Sequence, residues 1–369
     1  MSRSLSKLVF ENLKTTLGYS KNQSRSISRT CACSGRALIY NNYGEPAEVL
    51  KLTEVADKKP EANQITVKWL LSSVNPADIN TLQGKYPSRP SLPAVAGNEG
   101  VGEVIEVGGN VKNFEIGDRV VPNANNIGTW TTSGNYEANH VFKIPKSFGT
   151  VEASMLIVNP CTAYRMLKDF VKLTPGDTVI QNGGNSAVGQ LVIQLCKIWE
   201  LKSVNVVRDR DDIDELKKHL KTIGATEVLT EAELRTTDLF KSKKLPAPKL
   251  ALNCVCGQNA VEVLRHLQAE GTMVTYGAMS REPLTVPASA LIFKNISIRG
   301  FWMTNWKKAH GNSEENTKMF EEIGKLFETK KLQPPPYKIV PFSKYKDAVT
   351  NALNTDGKVG VKYIIDLTA

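Results

Sequence analysis

The stretch Thr178 to Gly189, TVIQNGGNSAVG, has the residue types and spacing to hold a dinucleotide. Thr178, Val179, Ile180 and Gln181 have strand character, and Gln190 to Cys196 is apolar at helical spacing. A small, glycine-rich turn between a strand and a helix lets backbone approach a pyrophosphate. The helix start adds N–H groups and the positive end of its dipole. Gly184 and Gly189 stand where glycines are expected, while Asn185 and Ser186 interrupt the usual spacing. Their side chains can add hydrogen bonds to phosphate, and Ala187 and Val188 stand beside them in the turn as further cofactor-binding candidates. Read alone, the turn also fits an ordinary βα connection with no nucleotide.

A second strand, Lys202 to Val207, runs into Arg208-Asp209-Arg210. A site for NAD usually ends this strand in an acid that holds the ribose 2′-hydroxyl. Two arginines can instead grip a 2′-phosphate through charge-assisted, often bidentate hydrogen bonds. The expected cofactor is therefore NADPH. Asp209 points the other way, toward NAD, and a solvated charge cluster opening a helix is the bland alternative.

These residues need a parallel sheet to position them. From about Val151 the pattern alternates strand and helix: helix to Leu167, the strand and helix around the glycine turn, then Lys202–Val207 and a helix Leu216–Ile223. Strand Leu250–Val255, helix Val261–Leu267, strand Gly271–Gly277 and helix Asn316–Lys330 follow. Such alternation indicates a doubly wound Rossmann sheet. Tyr276, Gly277, Ala278 and Met279 end a strand on its ligand side. Before Val151 the pattern is short strands, Ala37–Tyr40, Gln64–Leu71, Gly97–Val107 and Arg119–Pro122, broken by Gly and Pro. That suggests a partly open β-barrel. Pro334-Pro335-Pro336 is a semi-rigid linker, and Lys362–Leu367 is a final strand that returns to the first domain.

The chain has 369 residues, enough for two cores, and a net charge of +10. Half of that charge lies in residues 1–35, where Arg3, Lys7, Lys14, Lys21, Arg25 and Arg29 face only Glu11. The rest carries too little excess to argue for nucleic acid, and it shows no RNP-like motif or interleaved basic-aromatic stripe. Residues 1–34 have the Arg-, Lys- and Ser-rich, acid-poor composition of a mitochondrial presequence, with Leu5, Leu8, Val9 and Leu13 on one helical face. A disordered basic tail is the alternative. No apolar run is long enough for a membrane span. Cys31, Cys33, Cys161, Cys196, Cys254 and Cys256 form neither a C-x-x-C zinc knuckle nor a secreted disulfide framework.

The runs GNEGVGEVIEVG (97–108) and FEIGDRV (114–120), with the Rossmann half, resemble the medium-chain dehydrogenase/reductase superfamily. The resemblance covers the chain from Arg36 to its end. It implies a GroES-like barrel plus a Rossmann domain, with the site in the cleft between them. The expected division is a presequence over 1–34, a catalytic domain over 35–156 and 338–369, and a cofactor domain over 157–337. Zinc enzymes of the superfamily carry G-H-E where this chain has Gly97-Asn98-Glu99, and a cysteine near the place of Asn75 or Pro76. Asn and Pro are poor zinc ligands. No metal is expected.

Within the zinc-free branch, VNPADINTLQGKYP (74–87), VNPCTAYRML (158–167), NVVRDR (205–210), TYGAM (275–279) and LIFKNISIRGFWMTNWKK (291–308) resemble the mitochondrial 2-enoyl thioester reductases. The resemblance implies NADPH-dependent reduction of trans-2-enoyl groups carried on acyl carrier protein or CoA, in the mitochondrial matrix, by a homodimer. It makes Tyr86 the catalytic residue, since a phenol can give a proton to an enolate-like intermediate. It places Asn159 and Thr162 at the nicotinamide, Phe301, Trp302 and Met303 on the cleft wall, and Lys362 at the cofactor. Plain core packing is the alternative for 301–303. Asn75 and Asp78 are read as caps of one helix. Arg299, Lys307 and Lys308 are candidates for a basic rim that receives an acidic carrier. The four later cysteines are read as small apolar packing groups. An NADPH:quinone reductase of the same fold is the rival enzyme, and an RNA-binding protein the non-enzymatic rival.

Overall fold

The computed structural model describes residues 35–352 and 361–369. The expected presequence at 1–34, with Cys31 and Cys33, lies outside the described residues, as do residues 353–360.

The first part is built from β1 (Gly35–Tyr40), β2 (Lys51–Val55), β3 (Gln64–Ser73), β4 (Ala94–Val95), β5 (Val101–Val107), β6 (Arg119–Pro122), β7 (Ser133–Glu137) and β8 (Val141–Ile144). β3 is its spine, pairing antiparallel with β5 and β7. Ile65, Val67 and Trp69 point from β3 into one core, and Leu71 reaches a second. The alternation that marks a half-buried strand therefore fades along β3, because the strand is covered on both sides. The expected strand over 97–107 begins only at Val101. Gly97 has φ +95°, and a Cβ there would lie 2.3 Å from the Trp130 ring. The backbone turns in the left-handed region against that indole, which only glycine allows.

The second part carries β9 (Thr178–Asn182), β10 (Lys202–Val207), β11 (Glu227–Thr230), β12 (Leu250–Asn253), β13 (Thr272–Thr275) and β14 (Ser297–Gly300). They form one parallel sheet in the order β11-β10-β9-β12-β13-β14. β9 is buried at all five positions because helices cover both faces. The order reverses between β9 and β12, which opens a crevice at their carboxyl ends. The tail returns as β15 (Tyr337–Pro341) and β16 (Lys362–Asp366), and β16 pairs antiparallel with β3.

The sequence pattern did not single out the helices Ala288–Lys294 and Met303–His310. On the second, the buried positions are Met303 and Lys307, so a lysine occupies the apolar stripe and hides the period.

Candidate active site

A cleft of about 1110 Å³ runs between the two parts. One wall is made by the residues that follow each parallel strand: Gly183 after β9, Arg208 after β10, Glu231 after β11, Cys254 after β12, Tyr276 after β13 and Phe301 after β14. The other wall comes from barrel loops carrying Asn75, Tyr86, Asn98 and Asn125. The crevice is pinned open by fully buried asparagines. Asn182 Nδ2 donates to Asn253 Oδ1 at 2.7 Å, and Asn182 Oδ1 accepts from the Cys254 N–H at 2.8 Å.

The glycine turn is tight. Gly183 has φ +61°, and a Cβ on Gly189 would lie 2.5 Å from the Gly183 carbonyl and 2.7 Å from that of Gly184. From beneath, Gln181 Nε2 donates to the Gly189 carbonyl at 2.9 Å. The helix Ala187–Ile198 starts at the cleft, and Ala187 and Val188 have no intrahelical acceptor for their N–H groups. A backbone that nothing but glycine can bring this close, facing open helix N–H groups, fits the diphosphate of a dinucleotide. Ser186, expected to add a hydrogen bond to phosphate, has a local role in the fold as well. Its hydroxyl oxygen caps the helix by accepting from the Gly189 N–H at 3.1 Å. The Asn185 carbonyl accepts from Gln190 Nε2 at 2.9 Å, and Asn185 is among the residues lining the cleft.

The Arg208-Asp209-Arg210 cluster divides. Arg208 lines the cleft at the end of β10, whereas Asp209 and Arg210 do not. The Arg210 guanidinium is engaged by both carboxylate oxygens of Asp212, one at 2.7 Å. That pairing holds the guanidinium above its ordinary pKa. Of the two arginines expected to grip a 2′-phosphate, Arg208 lines the cleft and Arg210 pairs with an anion from the following helical turn. Asp209 Oδ1 accepts from the Arg210 N–H at 3.0 Å, a local turn contact.

Tyr86 sits on the loop after the helix Pro76–Leu82, and Trp302 begins the Met303–His310 helix as its N-cap. The Tyr86 hydroxyl accepts from Trp302 Nε1 at 2.5 Å and lies 3.2 Å from Thr304 Oγ1. The two rings meet edge to face with centroids 5.7 Å apart. Phe301 and Met303 complete this corner of the cleft. Phe301 also stacks edge-on with Phe170, so it packs in the core as well as facing the site.

Beside Tyr86 lies a buried polar network that sequence reasoning treated as a helix cap. The Asp78 carboxylate does accept from the Asn75 N–H, at 2.8 Å. The Asn75 side chain does more: Nδ2 donates to Glu99 Oε2 at 2.8 Å, and Oδ1 accepts from Asn159 Nδ2 at 3.2 Å and from the Lys362 ammonium. Glu99 is fully buried, takes a second hydrogen bond from the Val158 N–H at 2.8 Å, and lies 3.8 Å from Lys362 Nζ. Burial pushes the Glu99 carboxyl up and the Lys362 ammonium down, and each is opposed by the other's charge. Burial likewise raises Asp78 to about 6, against hydrogen bonds from Asn98 and the Asn75 backbone and the charge of Lys362. Among the described residues, no group of three or more His, Cys, Asp or Glu side chains is placed to hold a metal ion. A buried ammonium supplies the positive charge here. Lys362 was expected only at the cofactor; it lines the cleft but is also bound by Asn75 and paired with Glu99.

Asn159, Thr162, Tyr276, Gly277, Ala278 and Met279 all line the cleft. Lys307 is corrected as a rim residue. It is buried, donates to the Pro122 carbonyl at 3.0 Å, and is depressed by burial to about 8. Arg299 and Lys308 remain exposed. Cys161, Cys196, Cys254 and Cys256 are buried and unbonded to one another.

The barrel, the parallel sheet with its reversal, and the cleft between them define a two-domain dehydrogenase/reductase. In keeping, the alcohol dehydrogenase GroES-like domain matches residues 61–161, and the zinc-binding dehydrogenase family matches residues 187–322. The chain is 46% identical over 324 residues to the mitochondrial enoyl-[acyl-carrier-protein] reductase of Xenopus tropicalis, covering 86% of this chain and 92% of that one. A solved structure of Etr1p with NADP and crotonyl-CoA superposes with a TM-score of 0.82 at 37% identity, covering 90% of this chain and 99% of that one. The chain belongs to the mitochondrial enoyl-[acyl-carrier-protein] reductase family. An Escherichia coli quinone oxidoreductase, 20% identical over 90% of this chain and 99% of its own, with a TM-score of 0.74, shares the fold alone.

Proposed function

We propose that Tyr86 is the proton donor in an NADPH-dependent reduction of trans-2-enoyl thioesters to saturated acyl thioesters. The observation that carries this is the Tyr86 phenol held in the cleft by Trp302, at the carboxyl end of the sheet whose glycine turn fits a dinucleotide. NADPH supplies the hydride that goes to Cβ. The electron pair of the Cα=Cβ bond moves toward the thioester carbonyl, and Cα then takes a proton. Trp302 donates into the phenol oxygen, so the phenol O–H is left to turn toward Thr304 or toward Cα of a bound substrate. The Tyr86 O–H bond breaks as the Cα–H bond forms, and water returns the proton to the phenolate. Phe301, Trp302 and Met303 wall this corner and limit water at Cα.

Cofactor contacts in this reading are the turn from Asn185 through Val188, Arg208 at the 2′-phosphate, Tyr276 to Met279, Asn159 and Lys362. The Tyr86→Phe variant should keep NADPH binding and lose most of kcat with crotonyl-CoA. Unimpaired turnover refutes the role. Comparing crotonyl-CoA with a quinone separates this reading from the rival reductase, since a quinone needs no Cα proton donor.

Acyl carrier protein as the natural carrier is part of the same proposal, with Arg299 and Lys308 as the exposed basic residues that receive it. If charge reversal at both leaves the carrier-protein KM and its salt dependence unchanged, that part fails. A homodimer is proposed from the exposed apolar Leu291, Ile292 and Phe293, the last 81% exposed; sedimentation tests it. The enzyme is mitochondrial, and placement in the matrix through a presequence at 1–34 is proposed from composition. A boundary near 156/157, with return at 337/338, is proposed because β8 ends at Ile144 and β15 starts at Tyr337.

A further inference from the structure

The loop 122–126, PNANN, touches both sides of the corner that holds Tyr86. On the barrel side, Asn126 Nδ2 donates to Ser88 Oγ at 3.0 Å, two residues past Tyr86. The Asn126 N–H donates to Asn98 Oδ1 at 2.7 Å, and Asn98 Nδ2 donates to Asp78 Oδ1 at 2.9 Å. Asp78 is buried and holds the Asn75 N–H with its other oxygen. The chain Asp78–Asn98–Asn126–Ser88 therefore roots the Tyr86 loop in the buried network. On the opposite side, Asn125 Nδ2 donates to the Thr304 carbonyl at 3.3 Å, and the Pro122 carbonyl accepts from Lys307. Thr304 and Trp302 are the two groups that meet the phenol. One short loop thus spans the gap between the proton donor and the groups that orient it.

We infer that Asn126 and Asn98 are positioning residues for Tyr86, bracing its loop against the 302–304 corner so that the phenol is aimed at the reacting carbon. This rests on the proposed role of Tyr86. It gives a function to Asn98, which stands where the zinc enzymes carry the histidine of G-H-E: its amide joins two loops by donating on one side and accepting on the other. Asn126 adopts φ +55°, a left-handed conformation that asparagine tolerates.

The test uses Asn126→Gly. Glycine adopts φ +55° without strain and keeps the N–H to Asn98, so only the donor to Ser88 is lost. Ser88→Ala removes the same bond from the other end. Both should lower kcat with crotonyl-CoA about tenfold, because small misplacements of a reacting group cost rate steeply. KM, NADPH affinity and the unfolding midpoint should stay unchanged. Asn126→Asp should recover most of the rate, because the Ser88 hydroxyl can donate to the carboxylate. In a Tyr86→Phe background, Asn126→Gly should cost nothing further. Wild-type turnover in Asn126→Gly, or an equal loss in both backgrounds, overturns the inference. Full turnover in Tyr86→Phe itself would instead overturn the reading of Tyr86.

Discussion

Replacing Lys362 by Met would strand a carboxylate in the centre of the molecule. Glu99 has no exposed surface, and the Lys362 side chain is 5% exposed. At their separation of 3.8 Å, the attraction is about 4 kcal/mol for an effective dielectric of about 20. Removing one partner of such a pair costs roughly 3–5 kcal/mol, because the remaining charge stays buried. Glu99 keeps its hydrogen bonds from Asn75 and the Val158 N–H, which places the loss toward the lower end. The variant can relieve the charge only by protonating Glu99, whose pKa burial has already raised. A carboxyl raised in the folded state favours folding below its unfolded value and loses that contribution as pH rises through the folded value. The deficit of Lys362→Met should therefore be larger at pH 8 than at pH 5. Adding Glu99→Gln removes the second charge and keeps a carbonyl acceptor for Val158, so the double variant should regain most of the loss. The assay is urea unfolding followed by tryptophan fluorescence at both pH values for wild type, both single variants and the double. Equal deficits at the two pH values, or a double variant no more stable than Lys362→Met, would refute the reasoning.

Three further outcomes follow from the geometry. Gly189→Ala puts a methyl 2.5 Å from the Gly183 carbonyl, so the turn must open and NADPH affinity should fall at least about tenfold by fluorescence titration; wild-type affinity would contradict the proposed turn. Arg208→Ala should raise KM for NADPH roughly tenfold to a hundredfold, the worth of a charge-assisted hydrogen bond, and leave KM for NADH unchanged. Arg210→Ala should do less, since Asp212 already holds that guanidinium, and an equal effect would count against the division between the two arginines. Lys307, depressed to about 8 in the fold, binds fewer protons than the unfolded chain up to its ordinary value of 10.5. Its contribution to stability should thus rise between pH 8 and pH 10, and a wild-type-minus-Lys307→Met difference that stays flat there would exclude the depressed value.

Four of the six strands of the parallel sheet were legible because their signals are local, while the four-residue β11 and β14 were not singled out. Lys202–Val207 and the strand and helix flanking the glycine turn coincide with observed elements, since a buried strand and an amphipathic helix each carry their period within a dozen residues. The barrel was harder. β2, β4, β7 and β8 are short, and β3 loses its alternation because it is covered on both faces. In the site, the chemical types were readable but not their partners. Arg208 and Arg210 look equivalent in sequence, but of the two Arg208 lines the cleft and Arg210 does not. Lys307 reads as a surface charge beside Lys308, and the packing of its helix buries it.

By itself, then, the sequence determined the succession of short barrel strands and alternating strands and helices, and the glycine turn between one such pair, because each lies in a contiguous segment whose residues act on their own backbone, whereas Tyr86 was singled out by family resemblance. Tertiary structure decided which arginine faces the cleft, which residues contact the Tyr86 hydroxyl, and what holds Glu99 buried. Those answers depend on contacts such as Tyr86 with Trp302, 216 residues apart, and Asn75 with Lys362, 287 apart. No local period records such a pairing. It exists only once the sheet reversal and the returning β16 bring the segments together and exclude water, and in that dry interior a charge or an amide must find its partner.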